Sequence, residues 1–416
     1  SLAGALFLGV VGGYAVLGVQ AGAVILGVIM LAAIGYVTLS TGVSRFEALR
    51  TRINPVVAWG WILAALAANM VFVLPQYSLA FGALTENIFP SLGAHAGSFG
   101  FKMGVSLLIL VVVTVVTFLY GSGGIGIRIY ETIVKAVVGM IVVTFILVVF
   151  KLAAGEPGLP LGRIFAGFIP DPGMIFAPSE AYQQVLATID NEVAREFWFE
   201  KALAKQRTVL VAAASAAVGI NMTFMLPYSM RARGWGKNHR GLATFDLATG
   251  MVIPFILATS CIVIASAFLF HGKPYEGVLE QSGGQVVITT DSAYAPQAAE
   301  IQGMIAERSQ GELANTAVEA GELRLAAMLL NRSNRQFATS LETLVGPNVA
   351  HLIFGIGVLG MALSTISVCM VISGFVVCEI FKYPLGGIQF KLGALLASTG
   401  VLWPVLWTGA SRAYLA

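Results

Sequence analysis

The stretch "GINMTFMLPYSM", residues 219–230, places residues that can do chemistry inside a long apolar run. Pro227 has no backbone N–H, so it frees a helix carbonyl, and in lipid that carbonyl needs another partner. Gly219 and Asn221 weaken the helix further, because glycine is costly there and asparagine competes for backbone hydrogen bonds. Broken helices of this kind line polar cavities, and their exposed carbonyls can bind cations. The stretch therefore predicts an unwound helix that holds a substrate at mid-membrane.

The same stretch offers two kinds of ligand atom and an aromatic hydroxyl. Met222 and Met225 carry thioethers, which are soft ligands, whereas Asn221, Thr223 and nearby carbonyls offer oxygen. Tyr228 and Pro227 are expected to line the same cavity. The alternative is a proline kink packed by small polar residues, which membrane bundles also contain. The density of polar residues favours a metal site, and its candidate ligands are Gly219, Asn221, Met222, Thr223 and Met225.

Composition sets the class of protein that must position these residues. The chain has 416 residues, of which 57% are hydrophobic and 11% charged, and its mean hydropathy is +0.85. Soluble domains average about 25% charged residues, so the sequence predicts a polytopic membrane protein. The net charge of +3 is small, and no basic cluster suggests nucleic acid. Cys261, Cys369 and Cys378 fall in apolar runs without metal-ligand spacing and are expected to be buried free thiols.

Eight stretches are long enough to cross a bilayer, which needs about 20 apolar residues per helix. They lie at roughly 14–40, 55–85, 103–121, 129–153, 207–230, 246–270, 348–379 and 388–408. Residues 1–12 look like the tail of an earlier helix. The chain is therefore expected to be all-α within the membrane.

Positive charge in the short loops predicts the orientation. Arg45, Arg231 and Lys382 stand in three Arg- or Lys-bearing loops on one side, whereas loop 86–102 on the other side holds only Lys102. By the positive-inside rule the first set of loops is cytoplasmic. The chain would then enter its first span from outside, so we expect at least one helix upstream of Ser1.

The expected organisation alternates membrane helices with two extracytoplasmic segments. Membrane helices are expected at 1–153, 207–270 and 347–416, and the extracytoplasmic segments at 154–206 and 271–346. The second segment begins with Gly and Ser turns and reads as amphipathic helix from about 295 to 343. A solvated helical cap is favoured there over a partner-binding site.

The order of these features resembles the Nramp family of divalent metal transporters. The best stretch, 354–381, has a small, Ser-rich centre and ends in Gly-x-Val-Val-x-Glu at Gly374–Glu379, and it looks like the family's eighth helix. Residues 128–150 and 240–270 look like the fifth and seventh helices. The resemblance implies a LeuT-like fold of two inverted five-helix repeats, with helices one and six unwound at mid-membrane. The eight spans would be family helices two to nine, and the fifth span would be helix six.

The family's first helix carries an Asp-Pro-Gly-Asn motif whose Asp and Asn bind metal. The resemblance places that helix before Ser1. Asp171-Pro172-Gly173-Met174 looks similar, but it follows "FIP" in a Pro-rich outer loop. We predict that it is a turn and not a metal site.

The sequence departs from the family in helix six, which carries Met-Pro-His with a metal-binding Met. Aligned without gaps from Gly219, those positions are residues 223–225; with a three-residue insertion they are residues 226–228. In the ungapped case Thr223 places oxygen where the family has sulfur. Sulfur suits soft and borderline ions such as iron, whereas oxygen suits Mg²⁺ or Mn²⁺. A cation site here is therefore expected to prefer hard ions.

A second departure concerns protons. The resemblance implies acids in family helix three, but Asn69, Gln76 and Leu79 stand in the matching stretch, 69–82. Amide and alkyl groups cannot carry a proton at accessible pH, so we expect no proton coupling, as in Nramp-related magnesium transporters. Pro75 is expected to be a second break point, and Asn69 and Gln76 are expected to line the cavity. The alternative is that both amides only bond to neighbouring helices.

The sequence predicts a secondary transporter of divalent cations in the cell's inner (plasma) membrane. Its partners would be the cation as substrate and the lipid bilayer; no cofactor and no nucleic acid are expected, and nothing specifies an oligomeric state. The alternative is a LeuT-fold carrier of an organic solute or amino acid. An enzyme is not expected, because the four histidines are scattered without metal-ligand spacing. A structural scaffold would need no proline-broken polar helices.

Overall fold

The membrane-crossing helices follow from the distribution of apolar residues. Six helices among the described residues have the length and hydropathy to cross a bilayer: Gly4–Thr41, Pro55–Ile88, Phe99–Phe118, Lys237–Phe270, Ala350–Phe381 and Ile388–Leu406. A helix satisfies the hydrogen bonds of its own backbone N–H and C=O groups, and lipid offers no partners for them. The chain is thus an α-helical, multi-pass membrane protein.

The computed structural model describes residues 2–121, 125–155, 158–219, 222–232, 234–332, 336–338, 342, 346–384 and 387–407. The helices of the first part are α1 (Leu2–Gly12), α2 (Leu17–Thr41), α3 (Arg45–Arg52), α4 (Pro55–Gly82), α5 (Phe99–Gly121), α6 (Ile125–Ala154), α7 (Leu161–Ala166) and α8 (Glu180–Leu186). They are followed by α9 (Glu192–Ala217), α10 (Met222–Ala232), α11 (Arg240–Leu247), α12 (Ile253–Phe270), β1 (Leu279–Ser282), β2 (Gln285–Ile288), α13 (Ala295–Arg308), α14 (Ala320–Leu329), α15 (Pro347–Phe381), α16 (Ile388–Ala394) and α17 (Trp403–Leu406).

These elements form two units, each drawn from three stretches of the chain. The first unit comprises Ser1–Ile25, Phe145–Ala217 and Phe255–Ser333, and the second comprises Leu26–Thr144, Val218–Pro254 and Asn334–Ala416. Sequence-distant stretches therefore share a core in each unit. The predicted boundaries followed the membrane spans and did not anticipate this division.

Most of the first unit's core lies in a part that we call the cap, residues 179–206 and 275–330. The cap core surrounds Trp198, which is fully buried against apolar residues such as Tyr182, Ile301 and Leu325. The indole Nε1 of Trp198 donates to Glu322 Oε2 at 2.7 Å. The cap thus has a hydrophobic core of its own, with a carboxylate inside it.

The buried carboxylate is compensated by a buried guanidinium. Arg308 Nε donates to Glu322 Oε2 at 2.6 Å and Arg308 Nη2 donates to Oε1 at 2.8 Å, and both side chains are 0% exposed. Arg308 also donates to the carbonyls of Leu313, Thr316 and Ala317. A buried charge is tolerated only when it is paired and hydrogen-bonded, so this pair fixes the loop after α13 onto α14.

The prediction of one amphipathic helix from about 295 to 343 is wrong. The helix α13 ends at Arg308, the chain turns at Gly311 with φ of +64°, and α14 covers only Ala320–Leu329. The reason is Arg308, whose buried side chain donates hydrogen bonds to carbonyls of the loop that follows α13. Before α13, where Gly and Ser turns were predicted, β1 and β2 pair antiparallel across Gly283 and Gly284 as a short hairpin.

Two local predictions are confirmed. Asp171 Oδ1 accepts from Gly173 N at 2.8 Å and caps a 3₁₀ turn over Pro172–Ile175, so the Asp-Pro-Gly-Met sequence is a turn. The three cysteines are free and buried.

The second unit is built on α4, which packs against α15 and against the 3₁₀ segment Leu395–Leu402. Gly400 lets the Tyr77 ring approach, because a Cβ at Gly400 would lie 2.4 Å from the ring carbons. The helix α4 continues through Pro75 from Pro55 to Gly82, so the predicted second break point is wrong. Membrane helices accept such a proline where neighbouring helices pack around it.

Candidate functional site

The helix that was predicted to be broken is interrupted, but not at its proline. The helix α9 ends at Ala217, α10 begins at Met222, and Gly219 lies in neither helix. The predicted ligand Asn221 lies outside the described residues. Pro227 lies inside α10 and is buried. The helix α9 begins at Glu192 in the predicted extracytoplasmic segment 154–206 and continues into the predicted span 207–230.

The interruption lies level with the middle of α2. A Cβ built on Gly27 would lie 2.2 Å from Val218 Cγ2 and 2.4 Å from Val218 Cβ. Gly27 is near the centre of α2, which is 25 residues long. Only glycine at position 27 allows Val218 to come so close. The end of the interruption that contains Val218 is thus packed at mid-helix depth.

A small cavity of about 20 Å³ in the second unit begins at the first turns of α10. From α10 it is lined by Thr223, Phe224, Pro227, Tyr228 and Arg231. Other elements supply the rest of the lining: Thr38 from α2, Ser44 from the loop before α3, Arg45 and Phe46 from α3, Trp61 from α4 and Glu379 from α15. The structure therefore brings together three predicted site residues: Thr223, Pro227 and Tyr228.

The carbonyl that Pro227 frees has a long-range partner. In an α-helix the N–H of residue 227 would bond to the carbonyl of Thr223, four residues earlier, but proline has no N–H. Arg45 Nη1 donates to Thr223 O at 2.8 Å instead. The need for a partner was predicted from the sequence, and the partner is a guanidinium 178 residues away.

Aromatic rings hold Arg45 in this position. Its Cζ lies 4.8 Å from the centroid of the Trp61 ring, and Trp61 stacks on Phe224 with centroids 4.4 Å apart. Burial lowers the pKa of Arg45 to about 10, so the side chain is still a cation at neutral pH. The cavity therefore contains a fixed positive charge beside the first turn of α10.

The carboxylate in the cavity is Glu379, which accepts a short hydrogen bond from the Tyr228 hydroxyl. The Tyr228 ring stacks on Phe375 with centroids 4.7 Å apart. Glu379 entered the sequence argument as the end of family helix eight, and Arg45 only as a loop charge. The pair Ser44 and Glu47, spaced as an N-cap and its third helical residue, was the available signal that Arg45 opens a helix.

The two methionines have different surroundings from Thr223. Met225 is partly buried and packs against Ile372, Val371 and Phe375 in apolar clusters. Met222 is partly buried at the start of α10. Neither methionine is among the residues that line the cavity. Their proposed role as metal ligands stays a prediction.

The predicted cavity-lining amides Asn69 and Gln76 lie on α4, and both are buried. They are not among the residues that line the cavity at Thr223. Asn69 is fully buried, and neither Oδ1 nor Nδ2 has a hydrogen-bond partner among the described residues. A buried amide without hydrogen bonds costs free energy. Asn69 is therefore a second buried polar position in this unit, apart from the cavity at Thr223.

No group of three or more His, Cys, Asp or Glu side chains that could hold a metal ion occurs in the part of the chain that the structure describes. The ligand atoms predicted from residues 219–225 are hydroxyl, amide and carbonyl oxygens and thioethers. Oxygen atoms of this kind suit hard ions.

The chain was also compared with known proteins. No model of a known protein family matches it, and no curated protein matches it either. The resemblance to the Nramp family therefore remains a prediction from the residues.

Proposed function

We propose that this chain is a secondary transporter that moves a divalent cation across the inner (plasma) membrane. The observation that carries the proposal is the interruption between Ala217 and Met222, packed at Val218 against the middle of α2. A helix interrupted at that depth is costly in lipid unless it lines a cavity or binds a substrate. The proposed fold is LeuT-like, with two inverted repeats and α9 and α10 as the two halves of helix six.

The proposed cation is Mg²⁺ or Mn²⁺, bound by oxygen atoms of residues 219–223. The carbonyl of Thr223 is the best-defined of these atoms, and it is the one that Arg45 occupies. A cation and a guanidinium would compete for this oxygen. Cation binding at Thr223 O would therefore require Arg45 to move, which couples the proposed site to the cavity that both residues line.

Transport is proposed to proceed without a proton. Asn69 and Gln76 are buried on α4 where a proton path would need carboxylates. An amide does not titrate at accessible pH. Glu379 lies on α15, where it accepts a hydrogen bond from Tyr228, so it does not replace a relay along α4.

A second candidate is a carrier of an organic anion or amino acid, and the cavity charge favours it. Arg45 and Arg231 contribute two positive charges, and Glu379 contributes one negative charge. A net positive lining attracts a carboxylate and repels a free cation. The two candidates therefore differ in the sign of the charge that the cavity should draw in.

Flux measurements on the full chain in liposomes separate these functions. Dyes for Mg²⁺, Mn²⁺ and pH are read in parallel, and uptake of labelled amino acids is measured in the same vesicles. Uptake of Mg²⁺ or Mn²⁺ without a pH change is the expected result. Cation uptake with acidification would contradict the uncoupled mechanism. Amino acid uptake without cation uptake would replace the cation proposal with the second candidate.

Replacing Thr223 or Asn221 with Ala is expected to lower cation uptake about tenfold, the size of a loss of about 1.4 kcal/mol in binding. The backbone carbonyl remains in both variants, so only the side-chain oxygen is removed. Uptake at several cation concentrations measures the effect, and circular dichroism reports the helix content.

The matched control is Thr249→Ala, because the Thr249 hydroxyl donates to the Phe245 carbonyl of its own helix at 2.7 Å. It should transport like the unmodified protein. If both Thr223→Ala and Asn221→Ala also transport normally, their side chains are not ligands.

A further inference from the structure

Groups that bind anions converge on the small cavity of the second unit at the start of α10. The cavity is lined by the guanidinium side chains of Arg45 and Arg231 and by Ser44 and Phe46 at the start of α3. Among the residues that the structure describes, one carboxylate, Glu379, lines it with them, and that carboxylate accepts a hydrogen bond from Tyr228. The net charge of these three ionisable side chains is positive. The lining is thus suited to an anion.

The N-terminus of α3 adds to this positive potential. The helix is eight residues long and begins at Arg45, and Ser44 is its N-cap. The Ser44 hydroxyl accepts from Glu47 N at 3.3 Å. The first N–H groups of a helix have no partner within the helix and, with the helix dipole, favour an anion. Since Ser44, Arg45 and Phe46 all line the cavity, this helix end belongs to it.

An independent observation is an orphaned hydroxyl. Thr38 lines the same cavity, is 2% exposed, and its Oγ1 has no hydrogen-bond partner among the described residues. A buried hydroxyl without a partner costs free energy. Threonines within helices commonly satisfy this hydroxyl on a carbonyl three or four residues earlier. A bound oxyanion would supply the missing acceptor.

The space available limits the ligand. The cavity has room for about one water-sized group. A second, more open cavity of about 600 Å³ shares Ser44, Tyr228, Arg231 and Glu379 with it. It is also lined by Lys382 and Glu47, which form an ion pair with Nζ and Oε2 3.7 Å apart. A ligand can therefore place one oxygen between Thr38 and Arg45 and keep the rest of its mass in the open cavity beside Arg231 and Lys382.

We propose that this cavity binds a phosphate group, with one oxygen at Arg45 and Thr38 and another at Arg231. Arg side chains and helix N-termini are the groups that proteins use for phosphate oxygens. The phosphate comes either from the solution or from a phosphomonoester lipid headgroup, because these loops are predicted to lie at the cytoplasmic membrane surface. The carboxylate of Glu379 opposes binding, so a singly protonated phosphate that donates to it is favoured over a fully ionised one.

Burial of Arg45 supports the same conclusion. Desolvation lowers the pKa of its guanidinium to about 10, which means that the surrounding protein gives the charge too little compensation. A phosphate in contact with Arg45 would restore that compensation. The phosphate would also compete with the Thr223 carbonyl for the Arg45 guanidinium. Phosphate binding is therefore expected to weaken the hydrogen bond between Arg45 and α10.

Calorimetry with the full chain in nanodiscs tests the proposal, in buffers free of divalent cations so that transport plays no part. One arm titrates inorganic phosphate into nanodiscs of phosphatidylcholine. The other compares nanodiscs with and without phosphatidic acid and asks whether the lipid blocks phosphate binding. Saturable phosphate binding supports a solution ligand. If phosphatidic acid blocks phosphate binding, and this block is lost in the variants below, the result supports a lipid headgroup as the ligand. Absence of both effects would overturn the proposal.

Three variants sharpen the result. Arg45→Gln is expected to weaken phosphate binding about tenfold, as for the loss of a charge-assisted hydrogen bond. Thr38→Val keeps the shape but removes the orphaned hydroxyl, and it is expected to weaken binding about fivefold without lowering thermal stability. Arg52→Gln, on the same helix and outside the cavity lining, is the matched control and should bind normally.

Thr38→Val keeps the proposal testable if Arg45→Gln does not fold, because the hydroxyl that it removes makes no hydrogen bond among the described residues. Binding that Thr38→Val leaves unchanged, or that Arg52→Gln weakens as much as Arg45→Gln, would place phosphate elsewhere on the basic surface.

Discussion

Replacing Arg308 with Met is expected to lower the local unfolding free energy of the cap by about 3–5 kcal/mol, because it leaves the Glu322 carboxylate buried without its cation. Both side chains are fully buried, and Arg308 also holds three carbonyls of the loop after α13. Amide hydrogen exchange of α13 and α14 measures the effect, since it reports local opening without requiring two-state unfolding of the whole protein.

The double variant Arg308→Met with Glu322→Leu distinguishes a buried charge from lost packing. Removing both charges should recover part of the stability, because paired burial contributes little net free energy compared with an apolar pair. Recovery is expected to be incomplete, since Trp198 Nε1 then loses its acceptor.

The matched control is Lys201→Met, which breaks an exposed ion pair with Glu307 in the same cap. Exposed pairs contribute about 0–1 kcal/mol, so exchange should change little. Unchanged exchange in Arg308→Met itself would mean that the carboxylate takes up a proton or reaches water, and that the pair does not hold the cap together.

Replacing Gly27 with Ala is expected to reduce transport by about tenfold to a hundredfold, because displacements of about 1 Å at a substrate site have effects of that size. The new Cβ would lie 2.2 Å from Val218 Cγ2, so either α2 or the chain at the interruption must move. Flux in liposomes measures the loss, and circular dichroism checks that the helices remain.

A second substitution makes this prediction specific to the contact. Val218→Gly removes the side chain that the new methyl group meets, and the double variant is expected to regain most of the lost transport. Gly22→Ala, on the same helix with no atom within 4 Å of the added Cβ, should transport normally. Normal transport by Gly27→Ala, or failure of Val218→Gly to restore it in a folded protein, would separate the interruption from function.

Local features of the sequence predicted the membrane character and several short-range details. Apolar runs of sufficient length predicted the crossing helices, because the requirement for internally paired backbone in lipid depends on the residues of each run alone. The turn at Asp171 is set by a side chain that bonds two residues ahead. Gly219 was correctly placed outside regular helix, whereas Pro227 is accommodated within α10, five residues after its start at Met222.

Longer-range features escaped the sequence argument for one physical reason. The break in the cap helix after Arg308 depends on Glu322, and the continuity of α4 through Pro75 depends on the elements packed around it. Periodicity and propensity describe only what a segment prefers by itself, and tertiary packing overrides that preference when enough surface is buried.

Pro227 illustrates both parts of this division. Its missing N–H is a covalent property, so the sequence by itself determined that the Thr223 carbonyl would need a partner from outside α10. Only the tertiary structure decided that the partner is Arg45, held by Trp61 and Phe224 across 178 residues of chain. A hydrogen bond between such distant residues is formed by the packing of α3 and α4 beside α10, and no local pattern specifies it.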